Sequence, residues 1–311
     1  MRSHSGSPGS AMRCRAQYNR TMPELPEVET IARGVNARVR GDRIAEVWFG
    51  SHREPFKTPA VQQARGLEGL TILVVNRKGK HIVVELGSGA ARSQHRNKPL
   101  DRDETIDPPT AEWIVHLGMT GRLLVTTPAA PVAAHTHARL TLASGRELRF
   151  VDPRRFGRLE FRDLREGGGF GAPGAEPLTI GTQAFAALFR GRRLAIKAAL
   201  LNQTLLAGVG NIYADESLFR AGVRPRRMAG RLTRAELERL RLALREVLKQ
   251  AIRRGGSSVS DYVDADGVRG FFQLEHRVYQ RTGEPCLICK TPIQRIVVAG
   301  RSTHYCPQCQ R

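Results

Sequence analysis

Four cysteines near the end of the chain have the spacing of a metal site. Cys286 and Cys289 form one Cys-x-x-Cys pair, Cys306 and Cys309 form another, and sixteen residues separate the pairs. Two such loops on a hairpin can place four thiolates at the corners of a tetrahedron, which is the geometry of a closed structural zinc site. A redox pair or disulfides are the alternatives. The spacing predicts one structural Zn²⁺ that keeps a short C-terminal segment folded, because so short a segment buries little core of its own.

Three further segments carry residues suited to binding nucleic acid. The turn GVGN, 208–211, joins two predicted helices, and its backbone N–H groups together with the Asn211 amide can bind a phosphate. Arg301 lies at the predicted hairpin tip between the cysteine pairs, where it can face a phosphate. Phe156 stands beside two arginines in DPRRFG, a combination suited to insertion into a base stack. Each segment has a plain alternative: a helix connector, a solvated arginine and a core phenylalanine.

The composition favours the same kind of partner. The 311 residues carry a formal net charge of +21 and a pI near 11.0. Nucleic acid is therefore the favoured partner, and the solvated surface of an arginine-rich protein is the alternative. No apolar run approaches the roughly 18 residues of a membrane span, which argues against an integral membrane protein. Four of the five cysteines cluster at the end and Cys14 stands alone, a distribution that favours a metal over a secreted disulfide framework.

The elements that must position these residues are β-rich in the first part of the chain. An amphipathic helix starts near Pro26, repeats apolar residues at helical spacing and ends near Gly41. The polar run 87–110 predicts a mobile surface loop between strands. The strand patterns lie at 71–76, 81–86, 113–125, 137–142 and 147–151.

The second part of the chain is predicted to be helical. The glycine-rich segment 167–174 marks the boundary between the parts. Thr233 and Glu236 form a capping box for the last helix, whose buried stripe is predicted to be Leu237, Leu240, Leu244, Val247 and Leu248. A Gly/Ser-rich stretch, 255–270, then leads to the cysteine-bearing tail. The helical patterns lie at 182–190, 193–206, 211–221 and 233–254.

The first 21 residues differ in composition from the rest. They hold four arginines, no acid and many small polar residues. A secretory signal is excluded because the segment has no apolar region. A transit peptide, a start codon chosen too early and a disordered tail are the alternatives.

Five motifs, taken in order, resemble one family. They are MPELPEVET at 22–30, HLGMTG at 116–121, DPRRFG at 152–157, GVGNIYADESLF at 208–219 and the terminal cysteine pattern. The combination resembles the bacterial formamidopyrimidine-DNA glycosylases, which are base-excision repair enzymes for oxidised purines. The similarity runs from Met22 to Arg311 and is broken mainly by the insertion at 87–110.

The resemblance implies an α+β fold in which 255–270 is a mobile lid over the everted base. The implied divisions are a leader absent from the active protein at 1–21, an N-terminal β-sandwich domain with flanking helices at 22–163, a linker at 164–181, a helical domain with a helix-two-turn-helix motif at 182–270, and a zinc-finger hairpin at 271–311.

The resemblance also implies catalytic residues. Pro23 matches the family's nucleophile, and a free N-terminal proline amine is partly unprotonated at neutral pH. Its attack on C1′ of the damaged nucleotide expels the base, and the resulting iminium permits β- and then δ-elimination. Glu24 matches the general acid that protonates the opening sugar. Lys80 matches the family's lysine acid and Arg301 its zinc-hairpin arginine, while Glu27 either supports the site or only starts the helix.

DNA contacts follow from the resemblance in the same way. The matching positions are His135, Arg154, Arg193, Lys197 and Asn211. Met119, Arg154 and Phe156 match the residues that fill the gap and wedge the stack when the lesion is flipped out. From the residues alone, a core methionine and a surface histidine are the plainer interpretations of Met119 and His135.

The implied activity is that of a bifunctional DNA glycosylase and apurinic/apyrimidinic lyase. Its partner would be damaged double-stranded DNA, with no membrane involved, and the protein would be a monomer at the nucleoid of the bacterial cytoplasm. Activity would require a chain that begins at Pro23. If residues 1–21 are retained, the alternative is a non-catalytic, damaged-DNA-binding zinc protein. A second alternative is an endonuclease VIII-like activity on oxidised pyrimidines, although GGSSVSDY and PELPEVET favour purines.

Overall fold

The structure, a computed structural model, describes most of the chain. The described residues are 22–52, 55–88, 108–258 and 263–311. The leader at 1–21, nearly all of the 87–110 insertion and residues 259–262 of the lid lie outside them. Among the described residues, none of the helices combines the length and the apolar character needed to cross a bilayer.

The first helix, α1 (Leu25–Val39), belongs to two hydrophobic cores. Its start is fixed by Pro26 in the first turn and by the Glu24 N–H, which donates to a Glu27 carboxylate oxygen at 2.9 Å. Leu25 packs into the core of the helical half of the chain. The rest of the buried face packs into the N-terminal core through Val28, Ile31, Ala32, Val35 and Val39. The residues at the helix start are therefore held relative to both halves.

Two four-stranded antiparallel sheets share the N-terminal core, as the implied β-sandwich requires. One has the order β1-β6-β7-β5 and the other β2-β3-β4-β8. The elements are β1 (Ile44–Phe49), α2 (Ala60–Leu67), β2 (Thr71–Lys78), β3 (His81–Gly87), β4 (Ala111–His116), β5 (Arg122–Thr126), β6 (Thr136–Leu142), β7 (Glu147–Val151) and β8 (Arg158–Asp163).

The predicted strand at 113–125 is wrong in one respect, because it is two strands. β4 ends at His116, and β5 begins at Arg122 in the other sheet. The turn between them needs Gly118, which has a φ of +63° and would bring a Cβ within 2.5 Å of the Phe156 carbonyl carbon. Three further elements, β1, α2 and β8, were not predicted from the sequence.

The linker between the halves is docked onto the second sheet. The Phe170 ring lies 4.6 Å from the His81 ring, centroid to centroid, and the Phe170 N–H donates to the Glu112 carboxylate at 2.5 Å. Arg77 reaches the same segment through Glu176 at 2.9 Å. The glycines predicted a linker, but these contacts tie it to β2, β3 and β4.

The helical half is built around α6. Its elements are α3 (Thr182–Phe189), α4 (Ile196–Leu201), α5 (Asn211–Ala221) and α6 (Arg234–Arg253), with a 3-10 turn at Ala229–Arg231. The predicted capping box of Thr233 and Glu236 is confirmed, and so is the buried stripe of α6. The predicted helix at 193–206 is too long, because α4 covers six residues of it.

The 255–270 stretch, which is predicted to be a lid, and the zinc hairpin follow the helical half. A 3-10 turn at Phe272–Glu275 precedes the hairpin of β9 (Gln294–Val298) and β10 (Arg301–Tyr305). The 255–270 stretch is anchored in the N-terminal half at Ala265, which is buried in that core and whose carbonyl accepts the Val125 N–H at 3.1 Å. Asp266 forms an ion pair with Arg38 of α1.

Candidate active site and nucleic-acid interface

Glu24 lies buried where α1 meets the start of α5. Its Oε1 accepts the Ile212 N–H at 3.1 Å, whereas Oε2 has no hydrogen-bond partner among the described residues. Gly210 makes this approach possible, since a Cβ there would fall 2.2 Å from the Glu24 carboxyl carbon. The pKa of Glu24 is raised to about 7, mainly by burial, with the charge of Lys80 opposing the shift and that of Glu27 adding to it. Near neutral pH this carboxyl can therefore hold a proton and release it.

Glu27 connects this carboxyl to the lid. Its carboxylate accepts the Tyr213 hydroxyl at 2.5 Å, the Ser257 N–H at 2.7 Å and the Glu24 N–H at 2.9 Å. Burial raises its pKa as well, although these donors oppose the shift. Glu27 thus does more than start the helix, because it ties α1, α5 and the first lid residues together.

Lys80 stands in the turn between β2 and β3. Burial lowers its pKa, the charges of Glu24 and Glu27 oppose the shift, and Arg301 adds to it. The turn is held by Arg77, whose guanidinium donates to the Gly79 carbonyl at 3.1 Å and to Glu29 at 2.7 Å. The structure therefore brings Lys80 into one electrostatic cluster with the two buried glutamates.

Pro23 adjoins this cluster, and Arg301 reaches it from the zinc hairpin. Pro23 is buried immediately before Glu24, and Arg301 is exposed at the first position of β10. The Asn211 amide, at the start of α5, donates to the Ser302 carbonyl at 2.9 Å and so fixes the residue next to Arg301. Four elements thus meet at this cluster: α1 and the turn between β2 and β3 from the N-terminal half, α5 from the helical half and β10 from the zinc hairpin.

Lys197 departs from the expected DNA contact. Its side chain is fully buried, its Nζ lies 2.7 Å from the Asp215 carboxylate, and it donates to the Ser302 carbonyl at 2.8 Å. Burial lowers its pKa, which Asp215 opposes. The lysine thus joins α4, α5 and the zinc hairpin. Nothing in the sequence around Lys197 indicated that this charged side chain would be buried.

The expected wedge residues lie on two turns in contact. The Arg154 guanidinium carbon lies 4.6 Å from the centroid of the Phe156 ring, and Phe156 is 49% exposed. Met119 is half-buried on the turn that contains Gly118, whose backbone touches that of Phe156. His135 is exposed with a φ of 64°, and Arg193 is exposed after α3. These residues are accessible to a large partner.

The four cysteines fit one zinc ion. Their Sγ atoms all lie within 4.8 Å of one another, with Cys286 and Cys309 3.9 Å apart and Cys289 and Cys306 3.4 Å apart. Zn–S bonds of about 2.3 Å in a tetrahedron require sulfur separations near these values. The predicted structural zinc site is confirmed.

A cavity of about 210 Å³ lies on the second sheet and was not predicted from the sequence. One of its lining residues, His81, directly follows Lys80. Burial lowers the pKa of His116 to about 4, and His81 contributes to the shift. The available signals were that His81 follows Lys80 and that His116 opens HLGMTG. The lining residues are Lys57, His81, Ile114, His116, Arg158 and Glu160.

A buried proton donor at a domain junction, beside exposed arginines on a chain of net charge +21, defines an enzyme that works on nucleic acid. Family comparisons cover nearly the whole described chain. The models for the formamidopyrimidine-DNA glycosylase N-terminal domain and the formamidopyrimidine-DNA glycosylase H2TH domain match residues 22–159 and 173–263. The model for the zinc finger found in FPG and IleRS matches 283–311.

Relatives agree over the full length. Formamidopyrimidine-DNA glycosylases of Solibacter usitatus and Thioalkalivibrio sulfidiphilus are 45% and 43% identical to this chain, over 93% of it and 100% of each of those proteins. The chain belongs to the formamidopyrimidine-DNA glycosylase family.

Solved structures show the same fold. The crystal structure of MutM (Fpg) from Thermus thermophilus is 40% identical, with a TM-score of 0.75 over 93% of this chain and 98% of that one. A Lactococcus lactis FPG mutant in complex with a Fapy-dG containing DNA is 33% identical, with a TM-score of 0.78 over 93% and 100%. The wild-type Lactococcus lactis protein in complex with an oxidised pyrimidine containing DNA is 33% identical, with a TM-score of 0.76 over the same shares.

Proposed function

We propose that this protein excises oxidised purines, 8-oxoguanine and formamidopyrimidines, from duplex DNA and then cleaves the strand. Pro23 is the nucleophile, Glu24 the general acid, and Lys80 and Arg301 complete the catalytic group. The observation that carries the proposal is the state of Glu24. This carboxyl is buried beside Pro23, one of its oxygens has no partner among the described residues, and its pKa is raised to about 7.

The reaction needs both a nucleophile and a proton donor at the same sugar. The Pro23 amine attacks C1′, the bond from C1′ to the base breaks with its electron pair going to the base, and the base takes up a proton to replace the one that the amine loses. Glu24 donates its proton to the ring oxygen as the sugar opens and the iminium forms. The iminium then accepts the electrons of the C2′–H bond when that proton leaves, which expels the 3′ phosphate and, after a second elimination, the 5′ phosphate.

Lys80 and Arg301 supply positive charge at this sugar. Because burial lowers the pKa of Lys80, its ammonium group is a better proton donor to the departing base than an exposed lysine. Arg301 can bind the flanking phosphates with its planar guanidinium. Lys197 acts one step removed, since its buried amino group holds the Ser302 carbonyl next to Arg301. Zinc, bound by the four cysteines, keeps this hairpin folded.

Further residues are assigned to contacts with the DNA around the proposed catalytic group. We assign phosphate contacts to His135, Arg193 and the turn that contains Asn211. We propose that Met119, Arg154 and Phe156 fill the space left by the everted nucleotide. The exposed Phe156 ring under the Arg154 guanidinium supports this assignment, because an unburied aromatic beside a cation suits a base stack.

The test compares two versions of the chain, one that starts at residue 1 and one that starts at Met22. Borohydride should trap a covalent adduct with 8-oxoguanine duplex only where mass spectrometry shows Pro23 as the first residue, and peptide mapping should locate the link at Pro23. Equal zinc content is the control for folding. A protein that excises the base without forming an adduct would refute the Schiff-base mechanism.

Two other functions are outcomes of the same experiment. If the native chain retains residues 1–21, the Pro23 nitrogen is an amide, and we expect binding of damaged DNA without excision. If duplexes with oxidised pyrimidines react faster than 8-oxoguanine duplexes, the substrate preference is that of endonuclease VIII. The Lactococcus lactis structure with such DNA makes this second comparison worth including.

We further infer the division of the chain and its setting. Three hydrophobic clusters support an N-terminal domain at 22–163, a helical domain at 182–270 and a zinc finger at 271–311 in outline, although Phe272 and Tyr279 pack into the helical core and Ala265 into the N-terminal one. We propose that the protein acts as a monomer at the nucleoid of a bacterial cytoplasm, since the compared relatives are bacterial. Sedimentation with and without DNA measures the oligomeric state.

A further inference from the structure

The proposed wedge lies on two turns, and a third turn carries His135, which is assigned to a phosphate. Met119 lies on the turn between β4 and β5, His135 precedes β6, and Arg154 and Phe156 follow β7. Side chains that fill a base stack must keep their relative positions while the duplex resists, and a displacement of about 1 Å at such a site is costly. Something in the protein must therefore hold these turns together.

One buried carboxylate contacts two of these turns. Asp152 is fully buried directly after β7. Its Oδ1 accepts the Thr120 hydroxyl at 2.5 Å and the Arg154 N–H at 3.2 Å, and its Oδ2 accepts the Gly157 N–H at 2.8 Å. Thr120 directly follows Met119, the second donor is the N–H of Arg154 itself, and Gly157 directly follows Phe156. Hydrogen bonds to a charged acceptor are about twice as strong as neutral ones.

The backbone of the same residue binds the third turn. The Asp152 N–H donates to the His135 carbonyl at 3.0 Å, and the His137 ring nitrogen Nε2 lies 2.9 Å from the Asp152 carbonyl oxygen. The carboxylate and the main chain of one residue thus reach the turns before β5, before β6 and after β7.

The close contact between two of the turns transmits any movement. A Cβ at Gly118 would lie 2.5 Å from the Phe156 carbonyl carbon, so the two backbones already touch. If the Thr120 hydroxyl loses its acceptor, the turn that carries Met119 can shift. Because the two backbones touch, a shift towards the turn that carries Phe156 displaces that turn as well.

We propose that Asp152 is the positioning residue of the wedge, which sets Met119, Arg154 and Phe156 as one rigid unit for eversion of a paired lesion. This inference rests on the proposed function and deepens it. Asp152 is not a catalytic residue, because its contacts are with the turns rather than with the buried glutamates. Its loss should therefore slow the step that opens the base pair and spare the chemistry at C1′.

The test uses Asp152→Asn, which keeps the shape and removes the charge that accepts these donors. Two rates are compared: single-turnover excision of 8-oxoguanine paired with cytosine, and borohydride trapping on a duplex with a preformed abasic site, where there is no base to evert. We expect excision to fall about tenfold or more, given the loss of buried charge-assisted hydrogen bonds. We expect trapping to change less than about threefold, because eversion costs least without a paired base.

A direct readout follows the wedge itself. A 2-aminopurine placed next to the lesion should brighten more slowly on mixing with Asp152→Asn than with the wild-type protein, because stacking is disturbed later. A role in folding alone would not slow this step relative to trapping. Equal losses on both substrates, or no loss on either, would overturn the inference.

Matched variants separate the two turns and guard against misfolding. Thr120→Val keeps the volume and removes only the hydroxyl, so a smaller loss with the same substrate dependence is expected. Asp163→Asn, which breaks a partly exposed pair with Arg165, should leave the ratio of the two rates unchanged. If Asp152→Asn loses zinc or fails to fold, the ratio measured for Thr120→Val decides the inference. A wild-type protein that excises nothing refutes the proposed function, whereas an active wild type with an unchanged ratio in the variants refutes only the role of Asp152.

Discussion

Two groups of buried charges lie at two junctions of this molecule and behave in opposite ways. The first, which we propose to be catalytic and call the catalytic junction, consists of Glu24, Glu27 and Lys80 and joins the N-terminal half to the helical half. The zinc junction, Lys197 and Asp215, joins the helical half to the hairpin. Glu24 has an oxygen without a partner among the described residues and a pKa raised to about 7. Lys197 and Asp215 neutralise each other at 2.7 Å, with both side chains fully buried.

The difference shows how burial can serve chemistry in one place and alignment in another. A buried carboxyl without a full set of partners is costly when charged, so it holds its proton until a reaction takes it. A buried ion pair has satisfied charges and is instead costly to break. The catalytic junction should therefore be sensitive in rate and the zinc junction in stability.

The largest expected effect comes from the catalytic junction. Glu24→Gln keeps the shape and removes the proton donor, so single-turnover excision of 8-oxoguanine should fall about a thousandfold. DNA binding should be nearly unchanged, which a titration with a non-cleavable duplex measures. Glu46→Gln, an exposed site on β1, is the control. A variant within tenfold of the wild type would show that Glu24 is not the general acid.

Breaking the zinc junction should instead cost stability. Lys197→Met leaves the Asp215 charge buried without its partner, so the free energy of unfolding should fall by about 3–5 kcal/mol. The double variant with Asp215→Asn should recover most of the loss, because no buried charge remains. Denaturant unfolding of the zinc-loaded protein measures both. If the double variant is as unstable as the single one, pairing is not what matters at this junction.

The pH dependence of Glu24 distinguishes the junctions further. Because its pKa is raised from 4.5 to about 7, the folded state binds the proton more tightly than the unfolded state. The resulting stability is present below the unfolded value and is lost as pH rises through about 7. From pH 4.5 to 8 the wild type should lose roughly 3 kcal/mol relative to Glu24→Gln. Excision should also fall about tenfold per pH unit once the pH exceeds both the pKa of Glu24 and that of the Pro23 amine, because the nucleophile is then fully unprotonated and only the loss of the acid counts.

Unfolding of both proteins at several pH values between 4.5 and 8 checks the first part, and pH–rate profiles check the second. Zinc binding depends on pH in both proteins alike, so the difference between them isolates Glu24. A difference that is constant with pH would contradict the raised pKa.

The smallest effect concerns strain beside the zinc junction. Gln280 is exposed, follows the buried Tyr279 and has a φ of 60°, which non-glycine residues adopt at a cost. Gln280→Gly should raise the free energy of unfolding by up to about 1 kcal/mol and leave excision unchanged. Gln280→Ala keeps the Cβ and therefore the strain, so it should bring no gain. If the free energy of unfolding rises in both variants, the cause is removal of the Gln280 side chain and not relief of backbone strain.

Local signals in the sequence predicted the elements and the metal well. The Asn211–Ala221 helix, the capping box of α6 and the cysteine cluster each depend on residues close in sequence. The helix at 193–206 was overextended because apolar spacing continues past Leu201, where α4 ends. Periodicity does not reveal where a tertiary contact stops a helix.

The partners inside the site could not be predicted, because they are distant in sequence. The Glu24 carboxylate binds the N–H of Ile212, which is 188 residues away. Lys197 resembles a DNA contact by type, and only the fold shows that Asp215 and the hairpin surround it. Asp152 was visible within DPRRFG, but its donor Thr120 lies 32 residues earlier on another turn.

The segment that runs from Ser257 to Ala265 limits, by its length alone, how far its two ends can move apart. Ser257 follows α6 in the helical half, and Ala265 is seated in the N-terminal core. Seven residues lie between them, so the two Cα atoms can be at most about 28 Å apart at roughly 3.5 Å for each of the eight steps along the chain. The distance between these two points therefore has a fixed upper bound for as long as Ala265 stays in the N-terminal core. That bound is set by the covalent length of the segment and does not depend on the strength of any noncovalent contact.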